Sequence, residues 1–172
     1  MPNETRYYVP NNVAICMAGD FDPDQVVATI DKYFGGWQKS TTLSRPEYAP
    51  LPALSAPTDT TVVGQEAEYL VLGWRTPGAA SAQADTLTVI ADLLANGKAG
   101  LFDTNLNLPM KVQEASAFYE GLADYGQFDI HVVPKQGQTL DDAKALVLAE
   151  VEKLKRGEFA DDLLSSVINN MK

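Results

Sequence analysis

The chain has 172 residues, 45% of them hydrophobic and 21% charged, a composition that supports a folded core and argues against disorder. Its net charge of -10, with only 13 scattered Lys and Arg, speaks against nucleic acid as a partner, because phosphate binding relies on clustered cations. No apolar run approaches the ~20 residues of a membrane span, and the start, MPNETRYYVP, lacks the basic and apolar segments of a secretion signal.

ETRYYVP reads as the tail of a helix or a connector, a chain entered in mid-course. The unit with the sharpest boundaries follows at residues 13–37, VAICMAGDFDPDQVVATIDKYFGGW. Residues 13–18 are an unbroken apolar run of strand length, the pattern of a strand covered on both faces. Such a strand would bury Cys16 as a small core residue. It is the single cysteine, which excludes a disulfide within the chain. Gly19-Asp20 ends the run, Asp22 stands at a helix N-cap, Pro23 takes the first helical position and Gln25 lies three residues after the cap. Val26, Val27, Ile30, Tyr33 and Phe34 form one apolar stripe, and Gly35-Gly36 offer a left-handed stop. Asp20, Asp22 and Asp24 lack the glycine and distant glutamate of a calcium loop; capping and dipole matching account for them.

Residues 38–57, QKSTTLSRPEYAPLPALSAP, contain Pro46, Pro50, Pro52 and Pro57 and read as a semi-rigid linker at a domain boundary. Strands are expected at 60–66 and 69–75, the second (YLVLGWR) apolar on both faces and therefore central in its sheet. Thr76-Pro77-Gly78 breaks it. Ser81 is placed to cap a helix to about Ala95 with Leu87, Ile90, Ala91 and Leu94 as its stripe, and Asn96-Gly97 ends it. Gly97-Lys98-Ala99-Gly100 resembles a phosphate loop only superficially, since the preceding strand and the Gly-Lys-Ser/Thr order are missing. Residues 100–108, GLFDTNLNL, read as a shorter helix limited by Pro109.

The clearest strand pair is 111–120 with 125–133. Phe128, Ile130 and Val132 alternate with Gln127, Asp129 and His131, one face buried and one wet. A turn at 121–124 makes the pair antiparallel. Thr139 with Asp142 forms a capping-box-like start for a helix to about Lys155, with Ala143, Leu146, Val147, Val151 and Leu154 inward, Glu150 and Glu152 solvated, and Gly157 beyond its end. A last helix over 159–171 carries Leu163, Leu164, Val167 and Ile168. Both ends of the chain read as cut. The fold class is α+β, with helices packed on one face of a mostly antiparallel sheet.

His131, the one histidine, falls on the wet face. A zinc site with two histidines is excluded by count, and no Ser-His or Cys-His pair has a partner. Scattered carboxylates give a metal-independent hydrolase little support. Nothing here builds a self-sufficient active site.

The segment YYVPNNVAICMAGDFDPDQVVATIDKYFGGW nevertheless resembles the insulinase/pitrilysin zinc metallopeptidase family, which includes the mitochondrial processing peptidase. Tyr8, Pro10, Asn11, Asn12, Gly19, Asp20, Tyr33, Phe34, Gly35 and Trp37 match its strand, Gly-Asp turn and Tyr-Phe-Gly-x-Trp helix end. The proline-rich crossover, the LGWR strand and Leu101-Phe102 extend the likeness over nearly the whole chain.

The resemblance implies a processing-peptidase-like α/β sandwich of the C-terminal, inactive type. On that reading 1–37 is the terminal strand and helix of a preceding zinc domain, 38–57 a linker, and 58–172 a truncated non-catalytic α+β domain. The family's His-x-x-Glu-His motif is absent, so no catalytic or metal residue carries over. No cofactor is implied in this chain, and zinc is expected in the catalytic domain of the parent. Residues 99–110 contain no Arg or Lys, so the arginine often found after Leu-Phe, and its transition-state role, do not carry over either. The implied role is an inactive half that helps enclose a peptide-cleaving chamber and packs on the zinc-bearing domain. Its partners would be the rest of the parent polypeptide and peptide substrates. By analogy, a sheet edge at Phe118, Tyr119, Glu120 and Gly121 would take an added peptide strand. The alternative is a free-standing acidic protein-interaction module.

Overall fold

The computed structural model describes residues 7–44 and 47–171, so the expected connector at 4–6 and Pro46 lie outside the described residues. The chain divides into two compact units, 1–60 and 61–172.

In the first unit a short 3-10 turn, Pro10–Asn12, precedes helix α1, Pro23–Phe34. Asp22 Oδ1 accepts hydrogen bonds from the Asp24 and Gln25 N–H groups at 2.9 and 3.1 Å, the cap that Asp-Pro foretells. The Pro-Asn-Asn turn has its own work. Asn11 donates to the Ser40 carbonyl at 3.0 Å and accepts from the Ser40 N–H at 3.1 Å, while Asn12 donates to the Tyr7 carbonyl. Gly35 keeps helical angles (φ -60°, ψ -24°), so α1 ends without the expected left-handed glycine.

Two further expectations fail in this unit. Residues 13–18 form no strand, and Val13, Ile15 and Met17 are 42%, 51% and 56% exposed. Cys16 is exposed as well. An apolar run dictates that a strand be covered, but the covering partners must come from elsewhere in a sheet, and among the described residues none pairs with it. The stripe of α1 is likewise left open, with no residue of the helix buried.

In the second unit strand β1, Leu70–Pro77, leads to helix α2, Ala84–Leu94, and a π-helix, Asp103–Asn107. Strands β2, Glu114–Gly121, and β3, Tyr125–Val133, are followed by helices α3, Leu140–Lys155, and α4, Leu163–Asn170. The three strands form an antiparallel sheet in the order β1-β3-β2, an α+β architecture as the sequence predicts. Period-two alternation sorts the sheet into two faces. Leu70, Val132 and Ala115 share one rung, then Leu72, Ile130 and Ala117, then Trp74, Phe128 and Tyr119. These face the core, where Phe102, Leu94, Leu106, Val112 and Val147 are almost wholly buried. Val71, Gly73, Phe118, His131 and Asp129 lie on the opposite face.

The Thr139 side chain accepts from the Asp142 N–H at 3.1 Å, capping α3 as expected. Gly157, at φ +71°, follows its end. Elsewhere the boundaries move for identifiable reasons. Residues 60–66 form no strand, with Val62 and Val63 86% and 92% exposed. β1 lies at an edge, and β3 is the central strand. Ser81 Oγ accepts from Gln83 N–H within a turn, so α2 starts at Ala84. β2 starts at Glu114 because Lys111 donates back to the Leu106 carbonyl at 2.8 Å. Phe159 packs against the core ahead of α4, so that helix starts at Leu163. Glu150, expected in solvent, is 4% exposed; it accepts from Asn105 Nδ2 and pairs with Lys153, each at 2.7 Å. Asp129, expected on a wet face, is 8% exposed, lodged over Gly73, whose missing side chain leaves the room.

Candidate functional site

Phe118, Tyr119, Glu120 and Gly121 are the last four residues of β2, an outer strand of the sheet. In an antiparallel pair, alternate residues turn their main-chain groups to the partner and away from it. Leu122 donates to the Tyr125 carbonyl at 2.9 Å in the hairpin turn, which assigns the even-numbered residues of β2 to the ladder with β3. Ala115 confirms the parity from the other side. Its N–H donates to Asn107 Oδ1 at 2.8 Å, and its carbonyl accepts from Asn107 Nδ2 at 2.9 Å. Ala117, Tyr119 and Gly121 therefore direct their N–H and C=O groups off the sheet. Among the described residues no hydrogen bond meets those of Ala117 and Tyr119 on that side.

The four expected residues are thus not equivalent. Tyr119 and Gly121 present edge groups, whereas Phe118 and Glu120 use theirs in the ladder and offer side chains alone. Phe118, 39% exposed, tilts against the His131 ring at 5.2 Å. Glu120 accepts from Gln127 Nε2 at 3.2 Å. The Tyr119 hydroxyl donates to the Pro77 carbonyl at 3.1 Å. Gly121 is required where it stands, since a Cβ there would lie 2.8 Å from Ala79 Cα. The sequence reading missed Ala117 and Asn107. A π-helix leaves no local pattern to find it by, and Asn107 looked like one polar residue of a short helix.

Asp103 supports this edge. Its Oδ2 accepts from the N–H groups of Asn96, Lys98 and Gly100 at 2.9, 3.2 and 3.1 Å. The loop that superficially resembled a phosphate cradle does bind an anion, and the anion is the chain's own carboxylate. The other oxygen lies 3.4 Å from Asn107 Nδ2. On the sheet face opposite the core, burial raises the Asp129 carboxyl above its ordinary 3.8; the His131 charge opposes this and Glu120 adds to it.

The donors present do not fit zinc. His131 leans on Phe118, and among the described residues no three His, Cys, Asp or Glu side chains gather as a metal requires. A separate hollow of about 510 Å³ between α2, α3 and the sheet is lined by Trp74, Leu87, Ile90, Phe128, Leu154 and Phe159 among others, almost all apolar and without catalytic groups.

The family described as the peptidase M16 inactive domain matches residues 5–171. No curated protein sequence matches the chain. Among solved structures, the crystal structure of a protease from Helicobacter pylori is similar over 97% of this chain and 41% of its own, with a TM-score of 0.75 and 21% identity. At that identity the likeness is one of fold, and the chain spans about two fifths of that protein's length. A family match running almost end to end identifies the chain as a member of the peptidase M16 inactive-domain family, a non-catalytic domain type.

Proposed function

We propose that the chain serves a larger zinc metallopeptidase as its non-catalytic part, helping enclose the peptide chamber, packing against the zinc-bearing domain and holding an extended peptide on the outer edge of β2. The observation that carries this reading is the pair of outward, unmet main-chain positions at Ala117 and Tyr119. An extended peptide satisfies such groups by adding a strand, with the hydrogen bonds supplying affinity and neighbouring side chains supplying selectivity. On the same reading residues 1–37 complete a preceding zinc domain and 38–57 form the linker. The uncovered run at 13–18 and the open stripe of α1 support this, because both are surfaces that a sheet from elsewhere would cover. Zinc and the bond-breaking step then belong to the parent's other domain, and no step of the chemistry falls to this chain.

Calorimetry with an acetylated octapeptide of alternating valine and lysine tests the edge. Binding is expected, and N-methylation along one edge of the peptide should abolish it while methylation along the other edge leaves it intact. Ala117→Pro removes an outward N–H that the ladder does not use and should weaken binding about tenfold, the ~1.4 kcal/mol of one hydrogen bond. Equal binding of both methylated forms contradicts strand addition.

A further inference from the structure

The outer edge of β2 changes character along its length, and one side chain makes the change. The Asn107 carboxamide forms with Ala115 the two bonds that a neighbouring strand would form, N–H to oxygen at 2.8 Å and carbonyl to N–H at 2.9 Å. One step along the same edge, Ala117 and then Tyr119 have no such partner among the described residues. At the far end the hairpin turn at Leu122 and Tyr125 closes the edge.

Asn107 is also held firmly in place. It ends the π-helix, which closes on a bond from Leu108 N–H to the Asp103 carbonyl at 2.9 Å. Its Nδ2 lies 3.4 Å from Asp103 Oδ1, while the other Asp103 oxygen is anchored by three N–H groups of the preceding loop. Loop, π-helix and strand make one frame around the plug. A π-helix is the means of aiming a side chain that a regular helix would point elsewhere.

We propose that Asn107 is a register stop, a positioning residue that bars an added strand from Ala115 and confines it to residues 117–121. At ~3.3 Å per residue this window admits about five residues of extended peptide. A bound peptide is thereby aligned along the edge as well as attached to it, which fixes how far its next residues reach. The inference rests on the edge reading given above.

Amide hydrogen exchange on the full chain, read by NMR with the same valine-lysine octapeptide, separates the two ideas. In the native protein the peptide should slow the Ala117 and Tyr119 amides about tenfold or more and leave Ala115 unchanged. In Asn107→Ala the Ala115 amide should exchange faster without peptide and join the protected set with it. Protection at Ala117 and Tyr119 with the same footprint in both proteins overturns the register stop alone; no protection at either position overturns the edge reading and the stop together. Should Asn107→Ala not fold, a peptide length series on the native chain decides. Affinity should stop rising beyond about five residues, and a steady rise to the octapeptide contradicts the stop.

Discussion

Asp129 lies on the sheet face opposite the core, yet it is only 8% exposed and no hydrogen bond to its carboxylate is present among the described residues. Burial holds its proton more tightly in the folded chain than in the unfolded one, where the ordinary value of 3.8 applies. An acid shifted upward favours folding fully below the unfolded value, and that contribution is lost as pH rises through the folded value. Asp129→Asn should therefore melt higher than the native chain at neutral pH, with the difference closing as pH falls below about 4. Thermal melts across pH check this; a constant difference at all pH values contradicts it. Asp103 is a buried side chain with its hydrogen-bond partners in place. Asp103→Ala leaves the Asn96 and Gly100 N–H groups unmet, while Lys98 N–H keeps its bond to Asn96 Oδ1, and should cost about 2 kcal/mol, with Asp103→Asn costing less because one oxygen remains. Urea midpoints measure both, and a loss below about 0.5 kcal/mol for the alanine would show that the cradle holds nothing. Period-two alternation placed Asp129 on the right face but said nothing of Gly73 opposite, which lets the carboxylate sink in.

Elements specified by their own neighbours were legible, and those specified by partners were not. The Asp22-Pro23 and Thr139 starts and the β2–β3 hairpin depend on residues a few positions apart, so the sequence displays them. The strand expected at 13–18 depends on pairing, and β1 reads as central although it lies at an edge; an apolar run records the need for cover without naming its source. The candidate site shows the same split. Its strand and hairpin were readable, whereas the plug at Asn107 and the unmet main-chain groups of Ala117, itself only 9% exposed, follow from a π-helix and from strand parity. Gly121 tests how tightly the hairpin is tied to the crossover from β1. An alanine there would bring a methyl 2.7 Å from the Tyr119 hydroxyl and 2.8 Å from Ala79 Cα, forcing backbone apart at a cost of about 1–3 kcal/mol. Gly36→Ala, with nothing within 4 Å, should change stability little. Equal melting temperatures for the two variants contradict the close crossover.

Across the whole molecule the two units differ in completeness. The second builds its own core around the sheet, whereas the first buries no residue of α1 and leaves the 13–18 run exposed. Among the described residues no three His, Cys, Asp or Glu side chains gather as a metal ion requires. On the function proposed above, the chain holds a peptide and another domain does the cutting. Incubating the full chain with stoichiometric zinc and the octapeptide, with and without chelator, and following the peptide by mass spectrometry tests this most directly. The account predicts an intact peptide in both samples. Cleavage that appears with zinc and stops on chelation would contradict it.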